Sequence, residues 1–91
     1  MLHGLVEVPD RVVTRAIDES TVLLNTDTGR YFTLDNIGTT VWSLLTPAAA
    51  VQDIYDALLL RYQVEPEDLK QDLESLLARL EAEGLVEIRR D

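Results

Sequence analysis

The sequence predicts an α+β fold of winged helix-turn-helix-like architecture, with a three-stranded antiparallel sheet followed by three helices. Three observations carry this. The runs 11–17, 21–25 and 30–34 are short, rich in β-branched and aromatic residues, and separated by turn-forming residues. Three later segments repeat aliphatic residues at helical spacing. Strands precede helices throughout, with connections short enough that sequence neighbours pair in space.

The elements follow in order. Residues 1–9 are a loose lead-in, or a short edge strand at Leu5-Val6-Glu7-Val8, interrupted by Pro9-Asp10. Arg11-Val12-Val13-Thr14-Arg15-Ala16-Ile17 is a β-branched strand, and Asp18-Glu19-Ser20 turns it. Residues 21–25 and 30–34 flank a polar loop that closes on Gly29, where the absence of Cβ permits a positive φ. Asp35 is placed to cap the first helix, because its carboxylate can accept from the free N–H groups of the first turn. Ile37, Val41, Leu44 and Leu45 form that helix's apolar stripe beside Trp42, and Thr46-Pro47 stops it. Val51, Ile54, Leu58 and Tyr62 stripe the second helix, with Tyr55 and Leu59 widening it. Pro66 suits the first position of a third helix, and Glu67 and Asp68 favour its positive end. Leu69, Leu73, Leu76, Leu77 and Leu80 run along it, Gly84 ends it, and Leu85-Val86-Glu87-Ile88 can add a last strand.

With 91 residues, the chain is expected to be a single domain spanning 1–91. A hydrophobic fraction of 46% argues against disorder. There is no cysteine, which excludes disulfides, thiolate metal sites and a cysteine nucleophile. Residues 1–9 lack the basic and apolar halves of a secretory signal, and no stretch approaches the roughly 20 apolar residues of a membrane span. The expected location is the cytoplasm. A net charge of −9, from 17 acidic and 8 scattered basic residues, repels nucleic acid and anionic lipid alike. Neither is an expected partner.

Catalytic sets are missing as well. His3 is the one histidine, at the terminus, so no Ser-His-Asp arrangement can form. Asp53 and Asp56 lack further metal ligands, and the four glycines make no phosphate-cradling loop. The expectation is a binding module, not an enzyme, with no cofactor and no metal. The natural place to bind is Arg30-Tyr31-Phe32-Thr33-Leu34. In a meander its outer side has no sequence neighbour, it contains no proline, and its one charge is at its start. Either the last strand covers this edge or a guest peptide does, through main-chain hydrogen bonds and pockets for alternate side chains. The leucine-rich third helix can share its leucines between a core and a groove, and Asp72 lies beside that stripe.

The run from Leu24 to Gly38, LNTDTGRYFTLDNIG, then an aliphatic helix, then Asp72 to Val86, DLESLLARLEAEGLV, resembles PqqD-like proteins over about residues 11–86. These are recognition elements for ribosomally made, post-translationally modified peptides. Tyr31 and the junction Leu34-Asp35-Asn36-Ile37-Gly38 are most similar to stand-alone members from lasso-peptide clusters. The connector Thr46-Pro47-Ala48-Ala49-Ala50 departs from the Asp-Gly type common in the family. The resemblance implies a winged-helix-like fold that binds a precursor's leader as an added strand. It implies Arg30, Tyr31, Phe32, Thr33 and Leu34 along the guest, and Leu69, Asp72, Leu73 and Leu76 walling the groove. A Tyr, a Pro and a Leu of the leader would fill pockets beside Tyr31 or Phe32, as hairpin register decides. The implied partners are the precursor leader, a cysteine-protease leader peptidase that receives it, and the cyclase acting after that peptidase.

Two other readings stay open. One is a PqqD-type peptide chaperone for a radical enzyme in quinone-cofactor synthesis, and the neighbouring precursor gene separates it from the lasso role. The other, of a different class, is a winged-helix DNA-binding regulator, which needs a basic face where residues 63–83 are acidic. On the peptide-binding reading, a charge or proline within Tyr31 to Leu34, or Leu73→Glu, abolishes leader binding in a protein that still folds.

Overall fold

The computed structural model describes residues 2–90; Met1 and Asp91, the ends of the expected 1–91 domain, lie outside the described residues. The order is β1 (Leu5–Glu7), β2 (Val12–Ile17), β3 (Ser20–Asn25), β4 (Arg30–Leu34), α1 (Asn36–Leu45), β5 (Ala48–Ala50), α2 (Val51–Arg61), α3 (Pro66–Ala82) and β6 (Glu87–Arg89). The expected meander is present, with strand order β2-β3-β4. Asp18, at φ 55, turns β2 into β3, a conformation Asp tolerates better than most residues. In the next hairpin Leu23 faces Phe32 and Leu24 faces Tyr31. That register puts Thr21, Leu23 and Asn25 on the buried face with Leu34.

A second sheet, ordered β5-β1-β6, departs from expectation. Leu5–Glu7 is its central strand, not a loose lead-in or an edge, and Val6 is fully buried between Ala49 and Ile88. Three alanines carry no strand propensity of their own, so Ala48–Ala50 reads as connector until β1 supplies a partner. The last strand also begins two residues later than expected. Leu85 donates to the Leu80 carbonyl at 2.9 Å and Gly84 to Glu81 at 3.0 Å, which closes α3 in a Schellman motif around Gly84 at φ 72. Leu85 and Val86 are thereby turned into the core, 1% and 2% exposed, before the strand starts.

The helices start and stop for local reasons. Asp35 caps α1 by accepting from the Gly38 N–H at 2.8 Å. Thr46 ends it, its N–H and hydroxyl both donating to the Trp42 carbonyl. Val41, Trp42 and Leu45 of α1, Val51, Ile54 and Leu58 of α2, and Leu73, Leu77 and Leu80 of α3 meet in one core with Leu23 and Leu34. Ile37, expected in the α1 stripe, is instead 54% exposed.

One buried polar side chain links the hairpin to the end of α3. Asn25 is 3% exposed. Its Oδ1 accepts from the N–H groups of Asp27 and Thr28, and its Nδ2 donates to the Glu83 carbonyl at 2.9 Å. Beside it Arg11 donates from Nε to the Gly84 carbonyl at 3.0 Å. Asn25→Ala removes the three hydrogen bonds of its amide and leaves the part-buried Glu83 carbonyl without that donor, which is expected to lower the unfolding free energy by about 2–3 kcal/mol. Urea denaturation checks this, as a lower midpoint at unchanged slope. A shift below about 0.5 kcal/mol would show that the hairpin and helix do not depend on it.

Candidate functional site

In β4 the side chains alternate. Phe32 and Leu34 point towards the helices, and Tyr31 stands on the other face, 70% exposed, opposite Leu24. One edge of β4 pairs with β3 and no strand of the described residues pairs with the other. The last strand, one of the two expected covers for this edge, joins β1 in the second sheet instead. The free edge of β4 therefore keeps a row of unpaired backbone groups.

Along that edge lies a groove of about 370 Å³ between β4 and α3. Its floor is the buried set Leu34, Val41, Leu58 and Leu73. Phe32 and exposed Thr33 border it on the strand side, while Leu69, Asp72, Leu76 and Arg79 border it on the helix side. Asp35, Ile37 and Gly38 close the α1 end. Gly38 packs closely there: a Cβ would stand 3.2 Å from two Leu34 carbons, and Leu34 would have to give way by a few tenths of an ångström. The Asp35 carboxylate is engaged as the helix cap. Arg30 pairs with Glu83 at 3.3 Å and the Arg79 guanidinium lies 5.1 Å from the Phe32 ring centre. Hence β4 and α3 run past each other in opposite directions, the strand's start beside the helix's end.

Of the nine residues expected at the site, Phe32, Thr33, Leu34, Leu69, Asp72, Leu73 and Leu76 line this groove. Arg30 and Tyr31 do not: the first is held by Glu83, and the pleat turns the second to the opposite face. The groove is thus on the Phe32 side, which the sequence left open. Leu34 and Leu73 are each 2% exposed, so a charge at either position lands in the core and is a test of folding, not of binding. The α3 leucines divide between two surroundings. Leu73, Leu77 and Leu80 are buried, while Leu69 and Leu76 are half-buried at the groove.

Asp35, Ile37, Gly38, Val41, Leu58 and Arg79 also line the groove and were not expected there. Arg79 had a signal in the sequence. It continues the 3, 4, 3 spacing of Leu69, Asp72 and Leu76, so all four share one helix face. No helix of the described residues is long and apolar enough to cross a membrane. No group of three or more His, Cys, Asp or Glu side chains among them is placed to hold a metal ion.

Residues 20–86 match the family described as Coenzyme PQQ synthesis protein D (PqqD). No curated protein matches the chain. Among solved structures, the chain is similar to TbiB1 in complex with the TbiA(beta) leader peptide. The two are 36% identical, over 93% of this chain and 99% of that one, with a TM-score of 0.85. A lasso peptide synthetase B1 complexed with the leader peptide shares the fold at 24% identity and a TM-score of 0.74, over 90% of this chain and 96% of that one.

The division of the leucines has a measurable consequence. Leu77→Ala is expected to cost about 2–5 kcal/mol of stability, and Leu76→Ala less than half as much, because only Leu77 leaves a closed cavity. Denaturation of the two variants side by side checks this. Equal losses would place Leu76 in the core and remove it from the groove wall.

Proposed function

The chain belongs to the PqqD family, and from this premise we propose that it binds the leader of a ribosomally made precursor peptide as an added strand on β4. It has no catalysis of its own. One observation carries the reading: the open edge of β4 borders an apolar groove walled by α3. An extended guest pairs with the edge and sets alternate side chains into the groove beside Phe32. The leader peptide in the TbiB1 complex supports the same ligand class here. Each main-chain hydrogen bond contributes about 1 kcal/mol net. Each buried apolar anchor contributes roughly 1.5–3 kcal/mol, and ordering the guest offsets part of the sum.

In this role the whole chain acts as one recognition unit in the cytoplasm. It presents the bound precursor to a cysteine-protease leader peptidase, which works ahead of the cyclase in lasso-peptide synthesis. The likeness to TbiB1 favours this over service to a radical enzyme in quinone-cofactor synthesis. The guest groove is lined by Phe32, Thr33, Leu34, Leu69, Asp72, Leu73 and Leu76, and Asp72 is placed to accept from a basic or N–H group of the guest.

The test is fluorescence anisotropy with a labelled leader from the precursor encoded beside this chain. Saturable binding is expected, with little loss at moderate salt. Leu76→Glu is expected to weaken it at least tenfold while the protein stays folded. N-methylation of successive leader residues is expected to cost about tenfold at every second position, since in an edge strand alternate N–H groups face the host. A leader that binds with no such alternation would overturn strand addition. Failure to bind leader, with duplex DNA bound in a steeply salt-dependent way, would favour the regulator instead.

A further inference from the structure

The groove contains one cation, and no carboxylate among the described residues pairs with it. Among the described residues Arg11, Arg30, Arg89 and Arg90 are in ion pairs, and Arg79 is in none. It is also the one basic residue lining the groove. Its helix neighbour at i+4 is Glu83, but that carboxylate is drawn away to Arg30 at 3.3 Å. Asp72 lies seven residues back on the same face, about 10 Å along the helix axis. Arg79 instead lies over Phe32, its guanidinium carbon 5.1 Å from the ring centre. A guanidinium held by an aromatic face keeps its in-plane N–H donors free for a second partner.

This matters once a guest is present. A strand laid along β4 over Phe32 takes water away from Arg79. A cation that loses water without gaining an acceptor is strongly unfavourable, whereas a carboxylate meeting the fork gains two charge-assisted hydrogen bonds. We propose that Arg79 is a specificity-determining residue that selects a guest carrying an Asp or Glu side chain opposite Phe32. The inference rests on the leader-binding reading above and adds to it the chemistry of one guest position. Asp72 gives the far part of the groove the opposite sign, so the guest's acidic residue belongs at the Arg79 end. A guest bound in the wrong register or the reversed direction sets that carboxylate towards Asp72 and is rejected.

The experiment is a double-mutant cycle by anisotropy with the leader described above. Each acidic leader residue is replaced singly by its amide, and each peptide is titrated with the wild type and with Arg79→Met, which keeps an apolar cover on Phe32. One replacement is expected to weaken binding about tenfold with the wild type and less than about twofold with Arg79→Met. Arg79→Glu paired with a basic residue at that leader position is expected to recover much of the loss. If every replacement costs the same in both proteins, or Arg79→Met binds the native leader as well as the wild type does, the carboxylate assignment is wrong and leader binding still stands. If the wild type binds no leader peptide at all, both readings fall together.

Discussion

The groove depends on how Asn25 holds the hairpin to the end of α3. Between β4 and α3 no ladder of backbone hydrogen bonds sets the spacing, so it must be set where the two elements are tied. Asn25 does this with one amide. Its oxygen accepts from the turn that launches β4, and its nitrogen donates to the carbonyl that ends α3. Arg11 on the Gly84 carbonyl and Arg30 on Glu83 reinforce the same end. Gly84 fits into this junction because it has no side chain: a Cβ there would lie 2.7 Å from the Asn25 amide nitrogen. The groove is fastened by hydrogen bonds and an ion pair at this end, and beyond it only side-chain packing joins β4 to α3, with Leu34 and Leu73 in one core and Arg79 over Phe32, an arrangement that leaves a strand edge accessible.

That edge stays open because other strands are occupied. The final strand is the natural candidate to cover β4, and β1 takes it. With β5 on its other side, β1 satisfies both of its own edges and buries Val6 completely. Strands β1 and β6 are therefore part of what keeps the edge of β4 free, although neither lines the groove. The third helix serves both sides in turn. Leu77 and Leu80 hold it to the core, Leu73 is shared between core and groove floor, and the face 69, 72, 76 and 79 is left to the groove.

Electrostatics adds direction to a groove whose floor is apolar. A chain of net charge −9 repels acidic groups in general, and the Arg79 guanidinium is, among the described residues, the one basic group lining the groove. It is uncompensated because of tertiary pairing. On the helix alone Glu83 is within reach of Arg79, and only the approach of β4 brings Arg30 in to take it.

Much of this was legible in the sequence, because it depends on near neighbours. Hairpin, cap and helix stripes follow from side-chain spacing and turn chemistry, which act over a few residues: Gly29 closes the turn, Asp35 caps α1, and the heptad leucines define α3. Family membership and most of the groove lining follow from the same local patterns. The tertiary structure alone decided the second sheet, since Ala48–Ala50 and Leu5–Glu7 become strands only through partners more than forty residues away in sequence. It also decided which face of β4 meets the groove, for alternation shows that Tyr31 and Phe32 part company but not which one turns inward. The charge state of the groove was decided there too. Arg79 lies on the right helix face by spacing alone, yet its freedom depends on an ion pair between a strand and a helix end. Such pairings join residues far apart in the chain, and a pattern that repeats every two or four residues carries no record of them.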